Sequence, residues 1–143
     1  MSNYNIEFKG LDEIIDKLDG MVDTQKVEAA LTKACLLLEG AAKEKAPKGN
    51  GDLRRSITSK VKDLVGEVYT PLEYAPYVEY GTGIFAESGG RTDVPWSYQD
   101  EKGEWHTTSG MRPQPYMRPA LDENREEIKR ILREGILSDG GLL

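Results

Sequence analysis

Three tyrosines and one glutamate lie within residues 74–80, and these are the side chains whose types and spacing suggest chemistry. A carboxyl group among aromatic rings can have a raised pKa, and Glu79 would then act as an acid or a base. A lone carboxylate more often forms an ion pair, for which Arg54, Arg55 and Arg118 are the candidate partners. The sequence favours the ion pair, because acid–base catalysis needs further groups around the carboxyl.

Other residues suited to catalysis or metal binding are scarce. His106 is the only histidine and has no metal-ligand spacing around it, and Cys35 is the only cysteine. Together they make neither a zinc site nor a nucleophile pair, and no internal disulfide can form. The Gly-x-Gly sequences at 49–51 and 81–83 lack the lysine and further glycines of a phosphate loop. We therefore predict no catalytic residue, no cofactor and no metal, and a protein that is not an enzyme.

The tyrosine segment is predicted to form one short helix. Pro76 suits a first turn, where its missing N–H costs nothing, and Gly81 suits a helix end in the left-handed conformation. A strand is the alternative, with Pro76 at a sheet edge. Helical spacing puts Tyr74, Tyr77, Val78 and Gly81 on one face, whereas Glu79 and Tyr80 point elsewhere. The tyrosines are either half-buried core residues with surface hydroxyls or anchors of an interface.

The composition predicts a single domain, residues 1–143, with a modest core. Leu, Ile, Val and Phe make up about 22% of the chain, just above the roughly 20% below which disorder is expected. Such a fold can gain stability from binding partners, which favours a component of an assembly. The N-terminus has neither a basic start nor an apolar run, and no 18 apolar residues occur together. We expect a protein that is soluble and intracellular when made, with no membrane contact.

Charge is distributed unevenly along the chain. The net charge is -6, which disfavours a general nucleic-acid-binding protein. Residues 43–62 nevertheless contain seven Lys and Arg residues against two acidic ones. This basic segment is interpreted as a solvated face, with contact to phosphate or to an acidic partner as the alternatives.

Hydrophobic periodicity predicts an antiparallel sheet. Alternation over residues 4–9 indicates a strand, and a helical spacing over 11–20 indicates a short helix. Further strands are predicted at 56–62 and 67–70, with a chain reversal between them.

The longest predicted element is a helix of about 22 residues that lies across the sheet. Asp23 or Thr24 caps it, and it ends at Ala46-Pro47. Cys35 falls within it as a small core residue. A second helix starts at Pro119, with Leu121, Ile128, Ile131 and Leu132 on one face and an ion pair from Glu126 to Arg130. Gly135 and residues 138–143 mark its fraying end.

Residues 82–112 are predicted to form a long mobile loop, because few of them are aliphatic. One part of the loop has the pattern of a small β-hairpin, with Trp96 and Trp105 facing each other across it. A two-stranded hairpin is marginal alone, so it either lies on other structure or is captured by a partner.

The order of four segments resembles a phage protein family. The segments are Ala46-Pro47, Gly51-Asp52-Leu53-Arg54-Arg55-Ser56-Ile57, Tyr74-Ala75-Pro76-Tyr77-Val78-Glu79-Tyr80-Gly81-Thr82 and Pro115-Tyr116-Met117-Arg118-Pro119-Ala120-Leu121. Over residues 6–137 they resemble the tail-component, or tail-completion, family of long-tailed bacteriophages and prophages. The hairpin resembles an insertion that many members carry.

The resemblance implies an α+β domain, with a long helix packed on an antiparallel sheet, that joins the tail to the head connector as one subunit of a ring. It implies no catalytic residues. The expected partners are other phage tail and head-connector proteins, with weak self-association when free. The expected location is the head–tail interface of the virion, after assembly in the host cytoplasm. Tail terminator or minor tail protein is an alternative role, as is a nucleic-acid-binding module that uses residues 43–62.

On this interpretation nine residues are predicted to serve the interface or support it. They are Arg54, Arg55, Tyr74, Tyr77, Glu79, Tyr80, Gly81, Trp96 and Trp105.

Overall fold

The computed structural model describes residues 4–10, 23–49, 51–87, 89–90 and 93–137, and it confirms the α+β class. In chain order the elements are β1 (Tyr4–Phe8), α1 (Thr24–Lys45), α2 (Asp52–Ser56), β2 (Thr58–Lys62), β3 (Val65–Thr70), α3 (Ala75–Tyr80), a 3-10 turn (Gly83–Phe85), β4 (Trp96–Gln99), β5 (Trp105–Thr108) and α4 (Met117–Leu137). The predicted helix at 11–20 and the predicted frayed tail at 138–143 lie outside the described residues.

The chain divides into two compact units. The first, here called the core unit, comprises Met1–Pro71 and Tyr116–Leu143. The second, here called the aromatic unit, comprises Leu72–Pro115. The assignment of residues 1–143 to a single domain stays a prediction.

A three-stranded antiparallel sheet forms one layer of the core unit, in the order β1-β3-β2. On β1 half-buried apolar residues alternate with exposed polar ones, as the sequence predicts. Asp63 and Leu64 join β2 to β3 with φ values of 52° and 61°, the positive angles that a two-residue hairpin turn requires. The reversal is therefore tighter than predicted, and the returning strand begins at Val65 instead of at residue 67.

The long helix is the 22-residue element that the sequence predicts. Asp23 caps it, because its carboxylate accepts a hydrogen bond of 2.8 Å from the Gln25 N–H. Its buried face consists of Val27, Ala30, Leu31, Ala34, Cys35, Leu38 and Ala42. Cys35 is confirmed as a core residue, and burial, with the negative charge of Glu39, raises the pKa of its thiol to about 11.

Helix α1 approaches the sheet closely at a glycine of β3. A Cβ atom on Gly66 would lie 2.7 Å from the Cys35 Sγ and 3.3 Å from Leu31. Next to this contact, Val27 and Leu31 pack with half-buried apolar side chains that include Phe8 and Val61. The absence of a side chain at position 66 lets the helix and strand backbones come together.

The C-terminal helix packs along α1 and begins at Met117, two residues before the predicted start. Ile128 and Ile131 of its predicted apolar face are buried, and Leu121 and Leu132 are half-buried. The prediction that Glu126 pairs with Arg130 is wrong. Arg130 instead pairs with Glu127 and Glu134, and Lys129 pairs with Glu126 at 3.3 Å.

Gly135 lies within the last described turn of α4, which extends to Leu137. A Cβ atom at this position would lie 2.6 Å from the Ala30 Cβ on α1. The glycine therefore allows a close approach of α4 to Ala30 of α1. A fraying end from Gly135 onwards stays a prediction.

The aromatic unit is built on short elements and backbone hydrogen bonds. The Thr82 N–H donates to the Met111 carbonyl oxygen at 2.8 Å, and the Ile84 N–H donates to that of Ser109 at 3.1 Å. The two ends of the predicted loop are thus tied to each other. The mobility of residues 82–112 stays a prediction.

Candidate interaction surface

The tyrosine segment forms the predicted helix, α3, but the residues that share a face are not those predicted. The buried residues are Ala75, Val78 and Glu79, which follow the i, i+3, i+4 spacing of one face. Tyr74, Tyr77 and Tyr80 have 43%, 57% and 36% of their surface exposed. Val78 therefore shares a face with Glu79 and not with Tyr77. The tyrosines present large aromatic area to solvent.

Glu79 is fully buried. A carboxyl with no exposed surface cannot reach a substrate in this conformation, which argues against the acid–base interpretation and for a structural role. The candidate partners Arg54, Arg55 and Arg118 belong to the core unit and Glu79 to the aromatic unit. An ion pair between them stays a prediction.

Gly81 ends α3, and its N–H donates to the Tyr77 carbonyl oxygen at 2.8 Å. Its φ of 81° is positive as predicted, but its ψ of 173° is not that of the left-handed helical region. This combination is available essentially to glycine alone. A Cβ atom here would also lie 2.9 Å from both the Met111 carbonyl oxygen and the Pro113 Cδ. The glycine is thus required by its backbone angles and by its neighbours.

A cavity of about 380 Å³ opens beside these tyrosines. Pro76, Tyr77, Tyr80 and Ala86 line it together with Gly81 and further glycines. One of these is Gly83, where a Cβ atom would collide with the Ser109 carbonyl oxygen. The wall of the cavity therefore combines aromatic rings with glycine backbone. The cavity volume lies at the lower end of the range of about 300–1,000 Å³ for ligand pockets.

The predicted hairpin is present, but its two tryptophans do not face each other. Trp96 pairs with Thr108, and Trp105 pairs with Gln99. Since successive side chains alternate between faces, Trp96 and Trp105 lie on opposite faces of the hairpin. The aromatic pair across the strands is Tyr98 with His106, stacked at 5.4 Å between ring centroids.

The two tryptophans also differ in exposure. Trp96 is half-buried, whereas 70% of the Trp105 surface is exposed, the highest fraction among the exposed large apolar residues described. The other residues on its face of the hairpin are Ser97, Gln99 and Thr107, which are all polar. The hairpin itself therefore leaves the Trp105 indole uncovered.

Asp100 closes the hairpin turn. Its Oδ1 accepts hydrogen bonds from the Lys102 and Glu104 N–H groups, both at 2.9 Å, and its Oδ2 lies 2.7 Å from the His106 Nε2. The hydrogen bond to His106, followed by the backbone bond from Glu104, holds the pKa of the Asp100 carboxyl below its usual range.

The proximity of Asp100, Glu104 and His106 was not predicted from the sequence, because His106 was interpreted as isolated. The ligand atoms of Asp100, Glu104 and His106 all lie within 4.8 Å of one another, a spacing that a divalent cation could bridge. The signal in the sequence is the four-residue turn, which brings positions 100 and 106 together across the strands. The hydrogen bonds of Asp100 are accounted for by the turn that it stabilises.

The basic segment carries ion pairs that offset part of its charge. The pairs are Lys43 with Glu39 at 3.4 Å, Lys45 with Glu123, Arg55 with Asp52 at 2.5 Å and Lys60 with Glu67 at 3.9 Å. Arg54 is half-buried, and its Nε has no hydrogen-bond partner among the described residues. These pairs favour the interpretation of the segment as a solvated face.

A second depression lies between α1 and α4 of the core unit, with a volume of about 900 Å³. Leu36, Leu37 and Ala41 supply its apolar wall, and 56% of the Leu36 surface is exposed.

Within the described ranges, no helix is both long enough and apolar enough to cross a membrane.

In a comparison with known families, residues 9–81 match the family described as "Bacteriophage HK97-gp10, putative tail-component". This range is about half of the chain and contains Ala46-Pro47, the segment 51–57 and the tyrosine helix with Gly81. No curated protein and no solved structure matches. The chain therefore belongs to the HK97-gp10-like family of phage tail components.

Proposed function

We propose that this protein is a structural virion component that joins the phage tail to the head, acting as one subunit of a ring at the neck. The observation that carries the proposal is the exposure of four aromatic side chains of the aromatic unit, those of Tyr74, Tyr77, Tyr80 and Trp105. Aromatic residues are the commonest anchors of protein interfaces. Membership in a family of tail components supplies the context.

The partners in this proposal are other tail and head-connector proteins, and the location is the head–tail interface after assembly in the host cytoplasm. The proposal includes no catalysis, since Glu79 is fully buried and the hairpin turn accounts for the hydrogen bonds of Asp100. It assigns the basic segment to a solvated face, because several of its cations already pair with carboxylates.

Deletion of the gene from a phage that carries it tests the proposal. Capsids should form and package DNA, and tail tubes should polymerise, but the two halves should fail to join. Electron microscopy of lysates should then show filled heads beside detached tails. Complete, infectious particles would contradict an essential joining role, and empty heads would move the assignment to DNA retention at the connector.

A DNA-binding role is separated from this one by the salt dependence of binding. A protein that neutralises several phosphates loses affinity steeply as salt rises. We expect no such binding of the free protein to duplex DNA at physiological salt. Tight, salt-sensitive binding that substitutions of Lys48 and Lys62 abolish would favour the nucleic-acid module instead.

A further inference from the structure

We infer that Thr82 is a positioning residue, whose hydroxyl closes the base of the segment 85–108 and thereby holds the tyrosine helix, α3, in place. The inference starts from two hydrogen bonds between residues that are far apart in sequence. Its meaning for tail assembly rests on the proposed function, because α3 carries Tyr77 and Tyr80.

Thr82 and Met111 bind each other in both directions. The Thr82 N–H donates to the Met111 carbonyl oxygen at 2.8 Å. In return, the Met111 N–H donates to the Thr82 hydroxyl oxygen at 2.9 Å. The paired residues 82–84 and 109–111 are here called the clasp. The segment 85–108 therefore leaves the clasp on one side and returns to it on the other.

Two glycines let the clasp close tightly. A Cβ atom on Gly83 would collide with the Ser109 carbonyl oxygen, and one on Gly110 would collide with the Thr82 carbonyl oxygen. The Ile84 N–H donates to the Ser109 carbonyl oxygen at 3.1 Å. The two sides of the clasp are thus joined by backbone contacts, and the Thr82 hydroxyl adds a side-chain contact to them.

The C-terminal end of α3 depends on residues that follow each side of the clasp. The Gln114 N–H donates to the Val78 carbonyl oxygen at 2.8 Å, and the Glu87 N–H donates to the Tyr80 carbonyl oxygen at 3.0 Å. Carbonyl groups in the last turn of a helix have no partner within the helix. A helix of six residues is also not stable alone. Opening of the clasp would therefore remove hydrogen bonds that α3 needs.

Two substitutions separate the hydroxyl of Thr82 from its shape. Thr82 is half-buried, and its extended backbone, with φ of -138° and ψ of 166°, suits valine as well. Thr82→Val removes the acceptor of the Met111 N–H, and a donor left without a partner costs more than the hydrogen bond contributes net. Thr82→Ser keeps the acceptor.

Cleavage of the full-length chain by chymotrypsin after Tyr77 and Tyr80 tests the inference. A protease cuts a helix when the helix opens, so at low protease concentration the cleavage rate follows the population of the open form. Thr82→Val should raise both rates at least about tenfold, and Thr82→Ser should leave them within about threefold. Mass spectrometry of the fragments identifies the bonds that are cut. Equal rates in the valine and serine variants would overturn the inference.

Amide exchange measured by NMR shows where the change begins. In Thr82→Val the amides of Met111 and Gln114 should exchange at least about tenfold faster, whereas those of α1 from Val27 to Ala42 should stay within about twofold. Faster exchange at Met111 alone, with unchanged cleavage of α3, would show that the hydroxyl makes only a local hydrogen bond. Faster exchange throughout α1 would show a general loss of stability. Either result contradicts a positioning role.

Two hairpin variants serve as controls. Thr107→Val removes a hydroxyl that lies 3.3 Å from the Ser97 hydroxyl oxygen, outside the clasp. Asp100→Ala removes the carboxylate that accepts the hydrogen bonds of the hairpin turn. Both should leave the cleavage of α3 within about twofold, because the clasp holds α3 independently of the hairpin. An increase as large as that of Thr82→Val would show that α3 depends on the hairpin instead.

The cleavage result is independent of the gene deletion. If Thr82→Val opens α3 while the deletion gives infectious particles, the positioning role stands and the joining role is wrong. If the cleavage is unchanged while the deletion gives filled heads beside detached tails, the joining role stands and the positioning role of Thr82 is wrong.

Discussion

The core unit and the aromatic unit differ in how far their large apolar side chains are buried. In the core unit, aliphatic side chains such as Leu31 and Leu38 are fully buried between helices and sheet. In the aromatic unit, tyrosines and Trp105 are exposed, and the buried positions of its helix include Glu79. Much of the aromatic area of the aromatic unit is therefore exposed to solvent, whereas the aliphatic area of the core unit is largely buried.

Backbone contacts compensate for the small aliphatic core of the aromatic unit. Besides the bonds of Thr82 and Ile84, the Gln114 N–H donates to the Val78 carbonyl oxygen at 2.8 Å. Close approaches at Gly81 and Gly83 leave no space for side chains. Such contacts specify a shape, but each hydrogen bond contributes only about 1 kcal/mol net.

Hydrogen exchange should show the largest difference between the two units. Amides of α1 from Val27 to Ala42 should exchange only through global opening, which costs about 5 kcal/mol or more. Amides of the β4–β5 hairpin should exchange about a thousandfold faster, because a two-stranded hairpin is marginal alone. Equal protection in the hairpin and in α1 would mean that residues 82–112 are not the mobile part of the chain.

Two leucines of α1, one buried and one exposed, test how much side-chain burial stabilises the core unit. Leu38 is fully buried, so Leu38→Ala should lower the free energy of unfolding by about 3 kcal/mol through lost burial and a residual cavity. Leu36→Ala is the control, with an expected change within about 0.5 kcal/mol. Urea unfolding followed by circular dichroism measures both. Similar losses at the two positions would show that Leu36 is covered by structure in solution.

The aromatic unit should be more sensitive to a side chain at Gly81 than to one at Gly103. Gly81→Val should cost at least about 2 kcal/mol, since a β-branched residue at φ 81° is strained and its side chain would meet Met111 and Pro113. Gly103→Val, with a φ of 83° but only the Gln99 side chain nearby, is the matched control and should cost less. Tryptophan fluorescence reports on this unit, because it contains both tryptophans. An unchanged midpoint for Gly81→Val would refute the assigned backbone angles.

The smallest expected effect is a difference between two helical glycines of the core unit. Gly40 is exposed on α1 with no atom near its missing Cβ, so Gly40→Ala should stabilise by about 1 kcal/mol. Gly135→Ala should instead be neutral or destabilising, because the new methyl would lie 2.6 Å from the Ala30 Cβ. Equal stabilisation at both positions in thermal unfolding would indicate that the α1–α4 contact is looser than described.

Local patterns predicted the core unit well. Apolar periodicity and the Asp23 cap placed the ends of α1, and alternation placed β1, because both signals come from neighbouring residues. The role of Gly135 was missed, because close packing of two helices depends on a residue 105 positions away, Ala30. Sequence alone gives no sign of such a partner.

The candidate surface was predicted less completely. The helix and the positive φ of Gly81 followed from residue types. The exposure of the tyrosines was one of two alternatives that the sequence left open. The burial of Glu79 did not follow, because helical spacing shows which residues share a face but not which face is buried. The opposite faces of the tryptophans did not follow either, because a one-residue change in strand register moves a side chain to the other face. The Asp100 turn with His106 depends on the same register.

Complementation of the gene deletion measures most directly whether the exposed tyrosines join tail to head. A gene carrying both Tyr77→Ala and Tyr80→Ala is compared with one carrying Leu36→Ala, after circular dichroism has shown that both purified proteins are folded. The tyrosine variant should yield filled heads beside detached tails, with infectivity lowered at least about 30-fold if one anchor of about 2 kcal/mol is lost. The leucine variant should restore complete particles. Full infectivity of the tyrosine variant would contradict the role assigned to this surface.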